Sequence, residues 1–109
     1  MPPKSPALQG FEKLLEAGKD GALLRFSLGN EYLKADDANT AADHLKRAVA
    51  LDPDYTAAWK MLGKALSAAE RRDDAIEAYR SGIACAKRKG DRQAEKEMTV
   101  FLRRLEKSS

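Results

Sequence analysis

The sequence predicts an all-α fold, a short superhelix of about six helices. Three observations lead to this prediction. The middle of the chain repeats at an offset of 34 residues, apolar residues recur every three or four positions within each copy, and further amphipathic segments flank the repeats. Stacked repeats bury a continuous core only when neighbours cover one another. We therefore expect a single domain over residues 6–109, preceded by a flexible N-terminus, residues 1–5.

The composition excludes several classes of protein. With 43% hydrophobic and 34% charged residues, the chain is too apolar for a disordered protein and too charged for a membrane-spanning one. No apolar run approaches the roughly 18 residues that a spanning helix requires, and the first residues lack the pattern of a secretory signal. The single cysteine, Cys85, cannot form an internal disulfide. A cytoplasmic location is expected.

The first predicted helix spans residues 6–17. Its apolar residues recur at helical spacing: Leu8, Phe11, Leu14 and Leu15. Gly18 and Asp20 then mark the end of this helix and the start of the next. We expect this N-terminal helix to pack on the first repeat.

Two copies of the 34-residue unit follow, at residues 22–55 and 56–89. Leu28-Gly29 aligns with Leu62-Gly63, and similar residues align along the rest of the buried face: Ala41 with Ala75, Leu45 with Tyr79, and Val49 with Ile83. Each copy carries two apolar stripes and so predicts two helices, which we call the leading and the trailing helix. Glycine inside a helix costs about 1 kcal/mol relative to alanine. Gly29 and Gly63 therefore indicate a close approach of the partner helix, with Ala41 and Ala75 opposite.

Boundary signals repeat as well. Thr40 and Asp74 each precede an acidic residue by three positions, which is typical of the start of a helix, so we expect the trailing helices to begin there. Asp52-Pro53 ends the first unit, because the residue before proline disfavours helical geometry. Gly90-Asp91 ends the second.

These residues resemble the tetratricopeptide repeat (TPR) family, whose unit carries W-x2-L-G-x2-Y, then A-x3-F and a closing proline. The second copy supplies Trp59, Leu62, Gly63, Ala75 and Tyr79. The first supplies Leu28, Gly29, Tyr32, Ala41, Ala48 and Pro53. Three positions depart from the pattern, namely Arg25 for tryptophan, Gly82 at the second small position and Lys87 for proline. The resemblance implies a short TPR-like solenoid over residues 22–89.

A last amphipathic segment spans residues 91–107. Its apolar side consists of Ala94, Met98, Phe101, Leu102 and Leu105. Terminal units of repeat arrays need a polar outer face, so we interpret this segment as a capping helix on the second repeat.

The residues that could support catalysis lack partners. His44 is the only histidine and Cys85 the only cysteine, so no metal site or nucleophile–base pair can be assembled from them. The carboxylates near the predicted turns are explained by helix capping: Asp36, Asp37, Asp73 and Asp74. We expect no enzymatic activity, no cofactor and no bound metal.

Basic residues cluster towards the C-terminus: Lys87, Arg88, Lys89, Arg92, Arg103, Arg104 and Lys107. Acidic residues interleave with them, and no aromatic residues alternate with them as in single-strand binders. The net charge is only +3. Nucleic-acid binding is therefore the less favoured alternative for this cluster.

The family resemblance also implies that leading helices line a concave groove for a peptide or partner helix. Beside the core stripe of the two leading helices lie Leu23, Phe26, Asn30 and Leu33, and then Ala57, Lys60, Lys64 and Ser67. We predict a partner-binding groove with an apolar patch at Phe26 and Leu33 and a basic patch at Lys60 and Lys64. An acidic peptide with an apolar anchor would suit it. Alternatively, the N-terminal helix covers Phe26 and Leu33, which are then core residues.

The sequence thus predicts a non-catalytic protein–protein interaction module, an adapter or scaffold that binds a peptide or partner helix. The alternative is a homo-oligomerising structural protein that associates through an end of the array or its convex side. The identity of the partner, the pathway and the oligomeric state do not follow from the sequence.

Overall fold

The structure is a computed structural model and describes residues 4–108. Six α-helices follow one another: α1 (Pro6–Glu16), α2 (Ala22–Lys34), α3 (Ala38–Leu51), α4 (Thr56–Ala68), α5 (Arg72–Lys89) and α6 (Arg92–Lys107). No strand occurs within this range. The predicted all-α fold of about six helices is confirmed. Of the segment expected to be flexible, residues 1–3 lie outside the described residues, and Ser5 caps α1 by accepting a hydrogen bond from the N–H of Leu8 at 3.1 Å.

The helices form a curved stack. Each helix contacts the next one along the chain, and the leading helices also contact one another, α2 with α4 and α4 with α6. The trailing helices α3 and α5 make no such contact with each other within residues 4–108. The leading helices therefore lie on the inner side of the curve, and the trailing helices lie on the outer side.

Gly29 and Gly63 let a bulky side chain of the trailing helix lie directly on the leading helix. A Cβ atom on Gly29 would lie 2.4 Å from Cγ of Leu45, and one on Gly63 would lie 2.5 Å from Cε1 of Tyr79. The nearest atoms thus belong to Leu45 and Tyr79, rather than to the expected Ala41 and Ala75. Both bulky residues are buried, with 0% and 2% exposure.

Gly82 of α5 likewise allows a bulky side chain of α6 to pack directly on its helix. A Cβ atom there would lie 2.5 Å from Sδ of Met98 and 2.8 Å from Cβ of Trp59. Met98 is fully buried in a cluster with Tyr79 and Ala86. The guanidinium of Arg72 also donates to the carbonyl of Leu105 at 2.8 Å, which holds the C-terminal end of α6 against α5.

The turns between leading and trailing helices repeat in detail. Asp36 and Glu70, which are 34 residues apart, both have left-handed backbones, with φ of 65° and 59°. The trailing helices begin just after these residues, so the prediction that Thr40 and Asp74 start them was wrong. The N-cap of α3 is Asp37, whose carboxylate accepts from the N–H of Thr40 at 3.2 Å.

The break between α5 and α6 follows the predicted boundary. Gly90 has a left-handed φ of 70° at the end of α5. Asp91 then caps α6 by accepting from the N–H of Ala94 at 3.1 Å.

We predict that Gly63→Ala lowers the free energy of unfolding by up to about 2 kcal/mol. Overlap with the buried ring of Tyr79 costs about 1–3 kcal/mol, which exceeds the gain of about 1 kcal/mol in helix propensity. Gly10→Ala is the matched control, because a Cβ atom at Gly10 meets nothing within 4 Å. Urea denaturation at low micromolar protein concentration measures both changes. A Gly63→Ala variant as stable as Gly10→Ala would contradict the close contact.

Candidate functional site

The residues predicted to line the groove lie on two adjacent leading helices. Leu23, Phe26, Asn30 and Leu33 belong to α2, and Ala57, Lys60, Lys64 and Ser67 belong to α4. In the part of the chain that the structure describes, α1 contacts α2 but neither α4 nor α6. The N-terminal helix therefore does not lie across the row of leading helices. We call the inner side of α2, α4 and α6 the leading-helix surface.

The α2 part of this surface is largely engaged in packing. Phe26 and Leu33 are half-buried and pack against a cluster whose buried members all belong to α3, α4 and α5. The ring of Phe26 lies 4.9 Å from that of Tyr55, just before α4. Phe26 and Leu33 thus join α2 to the rest of the stack, whereas Leu23 is 69% exposed at the start of α2.

Asn30 lies one helical turn from Phe26 on the same side of α2. Its side-chain oxygen Oδ1 is buried and has no hydrogen-bond partner among the described residues. A buried acceptor without a donor costs about 1–3 kcal/mol. Because this oxygen is buried, the side chain of Asn30 would have to turn outward before an incoming N–H group could reach it.

The α4 part of the surface carries the two predicted lysines, but their surroundings differ. Nζ of Lys60 lies 3.4 Å from a carboxylate oxygen of Glu97 in α6, so its charge is partly neutralised. The cleft beside it, about 170 Å³ in volume, is lined by Ala57, Asp91 and Glu97 among others. The surface near the N-terminal end of α4 is therefore of mixed charge.

Lys64, one turn later, lies in a more basic environment. Its Nζ is 5.8 Å from the ring centroid of Phe101, and the guanidinium carbon of Arg104 is 5.9 Å from the same centroid. Within residues 4–108, neither cation takes part in an ion pair. The ring of Phe101 stacks on the buried Tyr79 at 5.7 Å, which fixes its position. The positive charge of the surface thus centres on Lys64 and Arg104, not on Lys60 and Lys64.

The groove predicted from the sequence includes no residue of α6, because residues 91–107 were interpreted as a capping helix. Glu97 and Phe101 lie close to Lys60 and Lys64 of α4, respectively, and Arg104 lies beside the ring of Phe101. Val100, in the same helix, is 48% exposed. The alternation of leading and trailing helices indicates that α6 belongs to this surface, because the helix that follows the trailing helix α5 takes a leading position.

His44 is part of a polar network that joins the first three helices. Its Nδ1 lies 3.1 Å from Nη1 of Arg25, and its ring stacks on that of Tyr32 at 5.4 Å. The hydroxyl of Tyr32 donates to Glu12 of α1 at 2.6 Å. Burial, and next the charge of Arg25, lower the pKa of His44 below its ordinary value. His44 therefore accepts a hydrogen bond as a neutral ring and supports the packing of α1, α2 and α3.

The other candidate for chemistry is Cys85, which is fully buried. Its Sγ lies 3.4 Å from Oγ1 of Thr56, within the packing of α5 against α4. Among residues 4–108, no three His, Cys, Asp or Glu side chains form a group that could hold a metal ion. No helix in this range is long and apolar enough to cross a membrane.

Comparisons with known proteins agree with the geometry. Residues 32–94 match the family model described as tetratricopeptide repeat. A TPR repeat-containing protein of Pseudomonas aeruginosa is 54% identical over 101 residues, covering 93% of this chain and 96% of that protein.

Solved structures are similar over most of the chain. A Bordetella parapertussis protein, known from its solution structure, has a TM-score of 0.79 and 42% identity over 93% of this chain and 88% of its own. The crystal structure of a TPR domain protein from Salinibacter ruber has a TM-score of 0.75 and 31% identity over 83% of this chain and 100% of its own.

We predict that the free energy of unfolding falls as the pH is lowered from 7.5 to 5. Because the pKa of His44 is lowered in the folded state, the unfolded chain binds the proton more readily. The stability from neutral His44 is therefore complete above the unfolded pKa of about 6.5 and is lost as the pH falls through the folded pKa. Urea denaturation at several pH values measures this dependence. The fall should be smaller in His44→Gln, and an equal fall in both proteins would contradict the assignment.

Proposed function

Because this chain belongs to the tetratricopeptide repeat family, whose members are typically non-catalytic scaffolds, we propose that it is an adapter that binds a peptide or partner helix. The ligand lies on the leading-helix surface. The observation that carries the proposal is that Lys64 and Arg104, which have no ion-pair partner among residues 4–108, both lie close to the ring of Phe101.

This cluster favours a ligand with an acidic residue next to an apolar one. A carboxylate between Lys64 and Arg104 would reduce the repulsion of two like charges close to one ring. An apolar side chain of the ligand would cover Phe101 and the exposed Val100. The ring of Phe101 stacks on the ring of the buried Tyr79, so the apolar part of the site is rigid before binding.

Asn30 supports the same proposal at the other end of the surface. Its buried Oδ1 has no donor among residues 4–108, and a backbone N–H of an extended peptide would supply one if the side chain turned towards the ligand. A ligand that reaches both Asn30 and the cluster at Phe101 crosses all three leading helices. Lys60 attracts an acidic ligand less strongly than the sequence predicted, because Glu97 already pairs with it.

Nucleic-acid binding by the C-terminal basic residues has less support. Arg88 pairs with Asp54 at 3.0 Å, and Arg80 pairs with Glu106 at 3.1 Å. Nζ of Lys89 donates to the backbone carbonyl of Asp54 at 2.9 Å. These contacts join α5 to the turn before α4 and to α6, and they reduce the free charge that phosphates would meet.

The proposal is tested with peptides selected on the wild-type chain from a random displayed library. We predict enrichment of sequences with an acidic residue next to an apolar one. Lys64→Glu/Arg104→Glu should weaken their binding at least about tenfold, since two partly exposed charge contacts of about 0.5–1 kcal/mol each become repulsive. Fluorescence anisotropy of the labelled peptides gives the dissociation constants.

Lys46→Glu/Lys87→Glu is the matched control. It makes the same change in net charge at two exposed lysines of the trailing helices α3 and α5. Its peptide affinity should stay within a factor of about two to three of the wild type. Selected peptides that lack acidic residues, or equal losses in both double variants, would contradict the proposed surface.

A further inference from the structure

The helix α1 has the register of a trailing helix. A shift of 34 residues places Leu8 on Ala42, Phe11 on Leu45 and Leu15 on Val49. Like α3 and α5, α1 packs against the leading helix that follows it. The helices α3 and α5 also pack against the leading helix that precedes them. Within the described residues, α1 has no preceding helix.

One face of α1 is exposed as a result. Leu45 and Tyr79 are buried on the glycines of the preceding leading helices, whereas Phe11, at the corresponding position of α1, is only half-buried. Leu14 corresponds to the fully buried Ala48 and is 47% exposed. In both repeats, the preceding leading helix covers this face of the trailing helix. In α1 the corresponding face is exposed.

The open face is apolar and extends into a cleft. Three exposed residues of α1 lie on this side, namely Ala7, Gly10 and Leu14, and the exposed C-cap residue Ala17 continues the row. A cleft of about 480 Å³ lies between α1 and α2, and its lining includes Phe11, Leu14, Ala22, Leu23 and Leu24. Leu14 and Leu23 are two of the four exposed large hydrophobic residues among those described. Burial of exposed leucines on this patch would be favourable.

The other end of the stack does not offer a complementary surface. The exposed residues of α6 are mostly charged, including Lys96, Arg103, Glu106 and Lys107. A head-to-tail array, with α6 of one copy on α1 of the next, would bury these charges against apolar residues at high cost. A two-fold arrangement, in which the α1 ends of two copies meet, buries no charge of α6.

We propose that a second copy of this chain covers the open face, with the two α1 helices antiparallel. The spacings between Ala7, Gly10, Leu14 and Ala17 are three, four and three residues, so the pattern is symmetric about Glu12. An antiparallel pair therefore places Leu14 of each copy opposite Gly10 of the other, and Ala7 opposite Ala17. A Cβ atom at Gly10 would meet nothing within 4 Å, so there is space for the incoming leucine.

This contact repeats the packing that the chain uses internally. Leu45 on Gly29, Tyr79 on Gly63 and Met98 on Gly82 each place a large side chain over a glycine of a neighbouring helix. Lys19 is the one charged residue that lines the cleft, and a net charge of +3 opposes association only weakly. The dimer is expected to be weak, because an interface centred on one 11-residue helix is small.

Light scattering over a concentration series from about 10 μM to 1 mM tests the dimer. The mass should rise from the 12.0 kDa of one chain towards twice that value. Leu14→Glu should remain monomeric over the whole range. Val100→Glu is the matched control, because Val100 on α6 is 48% exposed, and this variant should dimerise like the wild type. A wild-type chain that stays monomeric, or two variants that dimerise equally, would overturn the proposal.

Gly10→Leu separates loss of the dimer from loss of the fold. The added side chain has free space in the single copy and favours the helix, so the melting temperature at low concentration should not fall. It fills the space that Leu14 of the second copy requires, so dimerisation should weaken at least tenfold. A dimer of unchanged strength would contradict the contact between Gly10 and Leu14.

Cross-linking tests the antiparallel orientation. Ala7→Cys and Ala17→Cys chains should form a disulfide-linked dimer when mixed and oxidised, and neither should do so alone, because ten helical residues separate the positions by about 15 Å. The natural Cys85 is buried and stays in place. Efficient cross-linking of Ala7→Cys chains to one another would indicate a parallel pair or a different surface.

Discussion

The contact of one large side chain with a glycine of the neighbouring helix determines how the helices of this protein stack. Leu45 on Gly29 and Tyr79 on Gly63 fix the two helix pairs, and Met98 on Gly82 fixes the last helix on the second pair. At each contact the glycine has no Cβ atom, and a buried side chain of the neighbouring helix occupies that space. The helix axes therefore come closer than most residue types would allow. The cost of glycine inside a helix is thereby offset by packing.

The two ends of the stack are completed differently, and this difference gives the protein its distinct surfaces. At the C-terminal end, α6 buries Met98, presents charged residues outward and places the ring of Phe101 close to Lys64 of α4 and to Arg104. One helix thus closes the core and completes the proposed binding surface. At the N-terminal end, α1 is held by the hydrogen bond from Tyr32 to Glu12, but its apolar side has no cover.

The sequence predicted the features that depend on local pattern, and missed those that depend on distant partners. The apolar stripes identified the helices, because they are set by residues three or four positions apart, and the 34-residue offset grouped these helices into pairs. Nothing local indicates that Asp36 and Glu70 adopt positive φ, since neither is glycine. Likewise, the contact of Phe26 with Tyr55, or of Lys60 with Glu97, joins residues 29 and 37 positions apart. Gly82, which the repeat pattern marked only as a departure, accommodates Met98 of the next helix.

The dependence of the whole stack on the packing of α6, which includes the contact between Gly82 and Met98, is tested most directly by a chain that ends at Gly90. Urea unfolding, followed by circular dichroism and by the fluorescence of Trp59, compares it with the full chain. Without α6, Tyr79 and the apolar side of α5 lose their cover, and two repeats bury less than the three or more that such arrays usually require. We predict that the shortened chain shows no cooperative transition by either probe. A cooperative transition with an unchanged midpoint would contradict the account.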